Sequence, residues 1–352
     1  MLIHPAVLLL LVPFLAACGS FGPSTVAHDR LGYARVTADS AKQQTLLNVV
    51  RLRYGDHVSF FRVGQVVSGY TMTTEAQLGA GLFTPSWSLE DDLSLGTLLH
   101  FEDRPTITYD PVTGPELARS MLNPFPPGEL FLMLAAGYPA DLVLGMMVRS
   151  VEGLPNALPG DVPAEGAVRF AELVDLMGRA QSAGLVGAKR EGGEEGPVVL
   201  VLRDEDEVAD RSVIDRLRVL LGLDHDVSEP HVVYGTSPGA RGQIVVQTRS
   251  MMEVLATLGS RVLVPRDHVA AGRTLATVED PAGVAPVAQV RIFSSMLPPQ
   301  TAFTRVRYAD HWFWIDDEDY SSKRAFAFLL LLSALVESAG DGRAPLVTIP
   351  TG

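Results

Sequence analysis

The hydrophobic pattern of the chain changes character along its length. An almost unbroken apolar stretch, Ala6 to Ala17, gives way to Gly-, Ser- and Pro-containing residues up to Asp29 with no apolar period. From there, apolar positions recur at helical or strand spacing. The first periodic segment predicts a helix: Asp39 or Ser40 caps it, Leu46, Leu47, Val49 and Val50 form its apolar face, and Gly55 stops it. Val58 to Val67 reads as a strand, and the Thr-, Gly- and Ser-rich residues 68–110 as further strands of an antiparallel sheet. Thr113 and Glu116 spell a capping box around Pro115, opening a short helix that must end before Pro126-Pro127. Pro127 opens another through Leu134, closed by Gly137 and Pro139.

Residues 155–166 are rich in Pro and Gly and mark the expected lobe boundary, with a second break at 192–197; Val168 to Met177 between them has helical periodicity. After Pro197 the pattern orders itself. Val198 to Leu202 reads as a strand, Val208 to Leu221 as a helix ended by Gly222, and His231 to Tyr234 and Gln243 to Gln247 as strands. Met251 to Leu258 reads as a helix and Val262 to Val264 as a last strand. The series β-α-β-β-α-β matches a ferredoxin-like arrangement. Residues 266–288 have no clear period and read as an extended insertion. Phe303 to Tyr308 and His311 to Ile315 form a hairpin across Ala309-Asp310, a turn without glycine. The acidic run Asp316 to Asp319 then precedes a helix reaching Val336, apolar on nearly every face and well short of the ~20 residues a bilayer requires. The fold class expected is α+β, with mixed or antiparallel sheets and packed helices. Its organisation would be a leader over 1–17, a flexible tether over 18–30, an N-terminal lobe over 31–155 and a C-terminal lobe over 167–352.

Composition narrows the function classes. The chain has 352 residues, 28 Lys+Arg against 41 Asp+Glu, and a net charge of −13. Capture of nucleic acid phosphates needs the opposite balance, so no nucleic-acid partner is expected. One cysteine excludes a disulfide framework and a multi-cysteine zinc site.

That cysteine follows directly on the apolar leader. Leu15-Ala16-Ala17-Cys18 resembles the lipobox of bacterial lipoproteins, in which Cys18 is acylated, with chains such as palmitate, and becomes the mature N-terminus. Small side chains at 16 and 17 admit a peptidase, and the thiol is the nucleophile that takes the lipid. Burial of acyl chains contributes roughly 0.8 kcal/mol per CH₂, so several chains together anchor stably. The n-region offers only His4 and the terminal amine as bases. Gly19 and Ser20, with no Asp at the second mature position, fit sorting to the outer membrane of a Gram-negative cell, facing the periplasm.

Several residues spell chemistry in part. Gly235-Thr236-Ser237-Pro238-Gly239 matches G-x-S-x-G after a strand, with Asp267-His268 and Asp310-His311 as nominal triad partners. A nucleophile elbow enters a helix at once, whereas Ala240-Arg241-Gly242 leads to another strand, and Pro238 removes an oxyanion-hole amide, so Ser237 reads as a loop residue. The acidic run 316–319 reads as helix capping rather than a calcium loop, and Asp224-His225-Asp226 as a solvated turn; no metal ligand set and no cofactor are assigned. Trp312, Phe313 and Trp314 alternate, so one side packs and the other is a possible binding surface. Arg51, Arg53 and Asp56 form a charged cluster at a helix end, read first as an ion-pair network and second as a binding site.

Three stretches together, Gln44 to Asp56 (QTLLNVVRLRYGD), Thr248 to Met251 (TRSM) and Trp312 to Asp317 (WFWIDD) with Ser322-Lys323, resemble a family of uncharacterised bacterial lipoproteins and related secreted proteins. The resemblance runs from about residue 40 to the end and implies no catalytic or binding residues. The function expected is therefore a lipid-anchored envelope protein, a structural or interaction subunit of a periplasmic assembly whose sheet edges offer strand addition to a protein partner. The alternatives are an envelope serine hydrolase using Ser237, and a ligand- or glycan-binding module using Trp312 and Trp314.

Overall fold

A computed structural model describes residues 22–67, 70–79, 94–103, 106–112, 115–156, 165–193, 196–203, 208–277 and 290–338. The chain divides into two compact units, Ser59–Val112 and the remainder. In the smaller unit β1 (Phe60–Val67) pairs antiparallel with β4 (Thr106–Val112), and β2 (Tyr70–Gly79) with β3 (Ser94–Asp103). The register of the first pair slips between Val63 and Gln65, where Gly64 admits a bulge. Antiparallel strands are what the Thr- and Gly-rich composition predicts.

The larger unit opens with α1 (Gly22–Arg53). Its end is the predicted one. Gly55, at φ +69°, forms a Schellman cap in which Gly55 N–H donates to Leu52 O and Asp56 N–H to Arg51 O, at 3.1 and 2.9 Å. Its beginning is not: the tether expected over 18–30 is helical from Gly22 onward, and the helix does not wait for Asp39 or Ser40. Pro23 is tolerated in a first turn. Up to Gln44 the described side chains are exposed or half-buried, with Leu31 and Val36 at 73% and 65% exposure, and burial begins with Leu46, Val49 and Val50. A helix with no buried stripe leaves no apolar period in the sequence.

The following elements are α2 (Pro115–Leu122), α3 (Pro127–Ala135), α4 (Ala140–Met147), β5 (Val148–Val151), β6 (Leu154–Pro155), α5 (Glu165–Ser182) and β7 (Val186–Arg190). Next come β8 (Val198–Leu202), α6 (Val208–Leu220), β9 (His231–Tyr234) and β10 (Gln243–Thr248). One six-stranded mixed sheet, in the order β6-β5-β10-β9-β8-β7, holds all of these strands, with β9 and β10 its parallel pair. Two expectations are corrected by it. The lobe boundary at 155–166 falls inside a single unit, because β5 and β6 from before it pair into the same sheet as the strands after it; those loop residues mark a connection, not a division. The element order after Pro197 is as predicted, but the arrangement is not ferredoxin-like. That topology sets the first and third strands side by side, whereas β8 lies between β7 and β9, and Val262 makes only an isolated bridge to Ile292.

The turn from β10 into α7 (Met251–Ser260) accounts for the TRSM stretch. Thr248 Oγ1 donates to Phe125 O (2.6 Å), and Ser250 Oγ caps α7 by accepting from Glu253 N–H (3.3 Å). Arg249, fully buried, donates from one terminal nitrogen to the carbonyls of Gly145 and Met146 at 3.0 and 3.2 Å, closing the end of α4. Asn156 Nδ2 reaches the same Gly145 carbonyl (2.9 Å) and that of Val148 (2.8 Å). Burial lowers the Arg249 pKa to about 10.

The C-terminal part adds α8 (Arg266–Ala270), within the stretch read as an extended insertion, then β11 (Phe293–Ser295), β12 (Thr304–Tyr308), β13 (His311–Ile315) and α9 (Tyr320–Ser338). The three strands form an antiparallel sheet in the order β11-β13-β12. In the β12–β13 hairpin Ala309 and Asp310 take φ of +45° and +65°, so a two-residue turn forms without glycine and sets Tyr308 opposite His311. α9 buries Ala325, Phe326, Phe328, Leu329, Leu332 and Val336 against α1, α2 and α7, as its composition predicts. Among the described residues no helix is long and apolar enough to cross a membrane.

The acidic run before α9 works as a cap. Asp316 Oδ1 accepts from Glu318 N–H, Asp317 pairs with Lys323, and Asp319 accepts from Ser322 N–H (3.1 Å), Ser322 Oγ (2.8 Å) and Arg291 (2.9 Å). Burial works against ionisation of Asp319, but these bonds outweigh it and hold its carboxyl below the ordinary value. A lowered folded-state value makes the contribution complete above the ordinary carboxylate range, around pH 4, and removes it as pH falls through the folded-state pKa. Asp319→Asn should therefore lower Tm at neutral pH and flatten the acid limb of Tm against pH; melts across that range check it.

Candidate functional site

Three local structures converge within the larger unit. The Schellman cap of α1 presents Tyr54 and Asp56, the single turn of α8 presents Asp267 and His268, and the β12–β13 turn presents Tyr308 and His311. Their rings form a continuous cluster. Tyr54 Oη and His268 Nδ1 share a hydrogen bond of 2.7 Å, and Tyr54 also packs edge-on against Phe313 and at a tilt against Tyr308. His268 and His311 meet in a T-shaped contact with centroids 4.6 Å apart, and both are buried, at 3% and 7% exposure. At one end of the cluster Tyr308 donates to Asp56 Oδ2 (3.1 Å); at the other, Asp267 Oδ2 lies 3.9 Å from His268 Nε2. His311 Nδ1 faces the Ala309 carbonyl at 3.5 Å.

The electrostatics follow from burial. Desolvation, then the neighbouring His311, hold His268 below its ordinary pKa, so its imidazole is neutral and keeps a lone pair. Desolvation and the facing Tyr308 push Tyr54 up to about 12, so its hydroxyl stays protonated. The backbone N–H of His57, then Tyr308 and the Arg51 charge, keep Asp56 lowered and ionised. One ligand atom each from Asp267, His268 and His311 lies within 4.8 Å of the others. Two imidazoles and a carboxylate at such spacing suit a divalent transition ion.

On the opposite, outward face of the three-stranded sheet the alternation of β13 places Trp312 and Trp314, half-buried, between buried His311, Phe313 and Ile315. Phe293 of β11 stacks on Trp314 (5.7 Å), the exposed Arg305 of β12 lies 5.7 Å from the Trp312 ring, and Arg307 pairs in register with Trp312. Met296 and Leu297, each 76% exposed, follow β11 directly.

The sequence candidates fall in different places. Cys18 and the leader lie outside the described residues. Asp56 belongs to the ring cluster, and Arg51 acts on it by charge. Arg53 donates to Leu275 O (2.8 Å), and its own carbonyl accepts from Thr274 Oγ1 (2.8 Å), so this helix end is also tethered to the backbone that follows α8. Phe313 packs inward and Trp312 and Trp314 outward, as their alternation predicts. Ser237 is exposed in the loop between β9 and β10, with no helix following it. The flanking glycines have a packing reason: a Cβ at Gly235 or Gly239 would stand 2.9 or 3.0 Å from a Val245 methyl. Asp224 and Asp226 both pair with Arg241.

The two Asp-His dipeptides meet each other rather than Ser237. Nothing local in the sequence signals this, since α8 has one turn and sits in a stretch without period. The repeated dipeptide was the one available sign. No protein-family model, curated protein or solved structure matches this chain.

Proposed function

We propose that this chain is a lipid-anchored protein of the cell envelope, held to the outer membrane through an acylated Cys18 and facing the periplasm, where it serves as an interaction subunit. The anchor rests on the Leu15-Ala16-Ala17-Cys18 run. The observation that supports an interaction role is the outward face of the β11-β13-β12 sheet. Trp and Arg are the residue types that dominate binding energy at interfaces, and here they stand beside exposed Met296 and Leu297. Arg305 and Arg307 are cations on a chain of net charge −13, so the partner fitted by charge is a protein presenting an apolar patch bordered by carboxylates.

Two variants of the full chain test the two parts. Cys18→Ser is expected to move the protein from the membrane fraction to the soluble fraction; unchanged fractionation would overturn the anchor. Arg305→Glu combined with Trp312→Ala is expected to abolish crosslinks to a reproducible protein partner in intact envelopes without changing fractionation. Recovery of the unaltered chain only as a free monomer, or identical crosslinks from both chains, would overturn the interaction role.

A further inference from the structure

The geometry points to a divalent-metal site of the zinc class formed by His268 Nε2, His311 Nε2 and Asp267 Oδ2, a site that depends neither on the anchor nor on the outward sheet face. Each histidine already has its other ring nitrogen committed. Nδ1 of His268 is bonded to Tyr54 Oη at 2.7 Å, and Nδ1 of His311 faces the Ala309 carbonyl at 3.5 Å. Metal-ligating imidazoles are oriented in this way, with one nitrogen toward the ion and the other N–H donated to an oxygen, which fixes the tautomer. Both rings are buried and held edge to face by packing, so little ordering remains to be done when an ion arrives.

The spacing is near what a tetrahedral ion requires. Bonds of about 2.0–2.1 Å set adjacent ligand atoms about 3.3 Å apart. Asp267 Oδ2 and His268 Nε2 are 3.9 Å apart, and one ligand atom from each of Asp267, His268 and His311 lies within 4.8 Å of the others. Closure falls to Asp267, whose side chain is 70% exposed and can swing inward while the histidines stay in place. Three protein ligands leave one position for water, and Asp310, whose charge also acts on His268, adds a second negative charge nearby. Imidazole with carboxylate selects zinc and its neighbours over calcium and magnesium, which prefer oxygen alone.

The test uses the full chain purified in detergent and stripped with chelator, titrated with zinc against a chromophoric competitor and separately with cobalt(II). One zinc per chain is expected, with cobalt d–d bands of tetrahedral intensity. Asp267→Asn, at an exposed position that leaves the fold intact, is expected to weaken zinc by at least about tenfold, and Tyr54→Phe by about 10–100-fold through loss of the bond that orients His268. His311→Asn, with folding checked by near-UV circular dichroism, is expected to abolish the cobalt bands. Absence of stoichiometric zinc overturns the site. So does zinc affinity unchanged in Asp267→Asn, which would assign binding to surface pairs such as His225 with Asp215 or His231 with Glu191.

Discussion

Replacing Phe313 with alanine is expected to destabilise the larger unit by about 3–5 kcal/mol, the range for a large aromatic removed from a packed core. Phe313 is fully buried at the centre of β13, the middle strand of its sheet, and meets Tyr54 edge to face at 6.0 Å. The void would open behind the ring that holds His268, so side-chain order should fall together with stability. Phe313→Leu, which leaves a smaller void, should lose markedly less. Urea denaturation read by far-UV signal gives the first quantity and near-UV circular dichroism the second. A loss below about 1 kcal/mol in the alanine variant would show that the neighbouring side chains collapse into the space.

Arg249→Ala is expected to cost about 3 kcal/mol, and Arg249→Met less than about half of that. The magnitudes separate because two effects oppose each other. Truncation leaves a cavity and deprives the Met146 carbonyl of its donor, worth about 1–3 kcal/mol for the unsatisfied group alone. It also removes a cation that is costly to bury, as its lowered pKa reports. Methionine refills the volume and removes the same cation, while Gly145 O keeps its bond from Asn156. That shared acceptor makes a second expectation specific: Arg249→Met and Asn156→Ala together should cost more than the sum of the two, since Gly145 O then loses both donors. Urea midpoints of the three variants decide it; strict additivity would show that the shared carbonyl is not what couples them.

How much of this was legible in the sequence depended on whether local chemistry announced an element. β8, α6, β9, β10 and α7 have strong periods and ends marked by Gly or Ser, and each forms where the pattern puts it. The hairpin of β12 and β13 was legible from alternation alone, although its turn uses Ala309 and Asp310 at positive φ where glycine is the usual choice. The first half of α1 was not, because a helix that buries nothing has no stripe to detect. The single six-stranded sheet was not, because pairing of β5 with β10 joins segments separated by several elements. The site divides in the same way. Alternation sorted Trp312 and Trp314 from Phe313, and the charged helix end pointed to Asp56. Tyr54, His268 and His311 come together only through three turns of different kinds, and no spacing rule in one dimension reports such a meeting.

The position of β10 has a consequence for how this protein comes into being. The strand lies between β5, made much earlier, and β9, made just before it. Until Gln243–Thr248 has been delivered, β5 has only the two-residue β6 beside it, and the intervening helices have half a platform to settle on. Long-range closure of this kind is slow. The sheet is completed from its middle by a late arrival, so a chain emerging start-first remains open to misplaced partners for most of its synthesis.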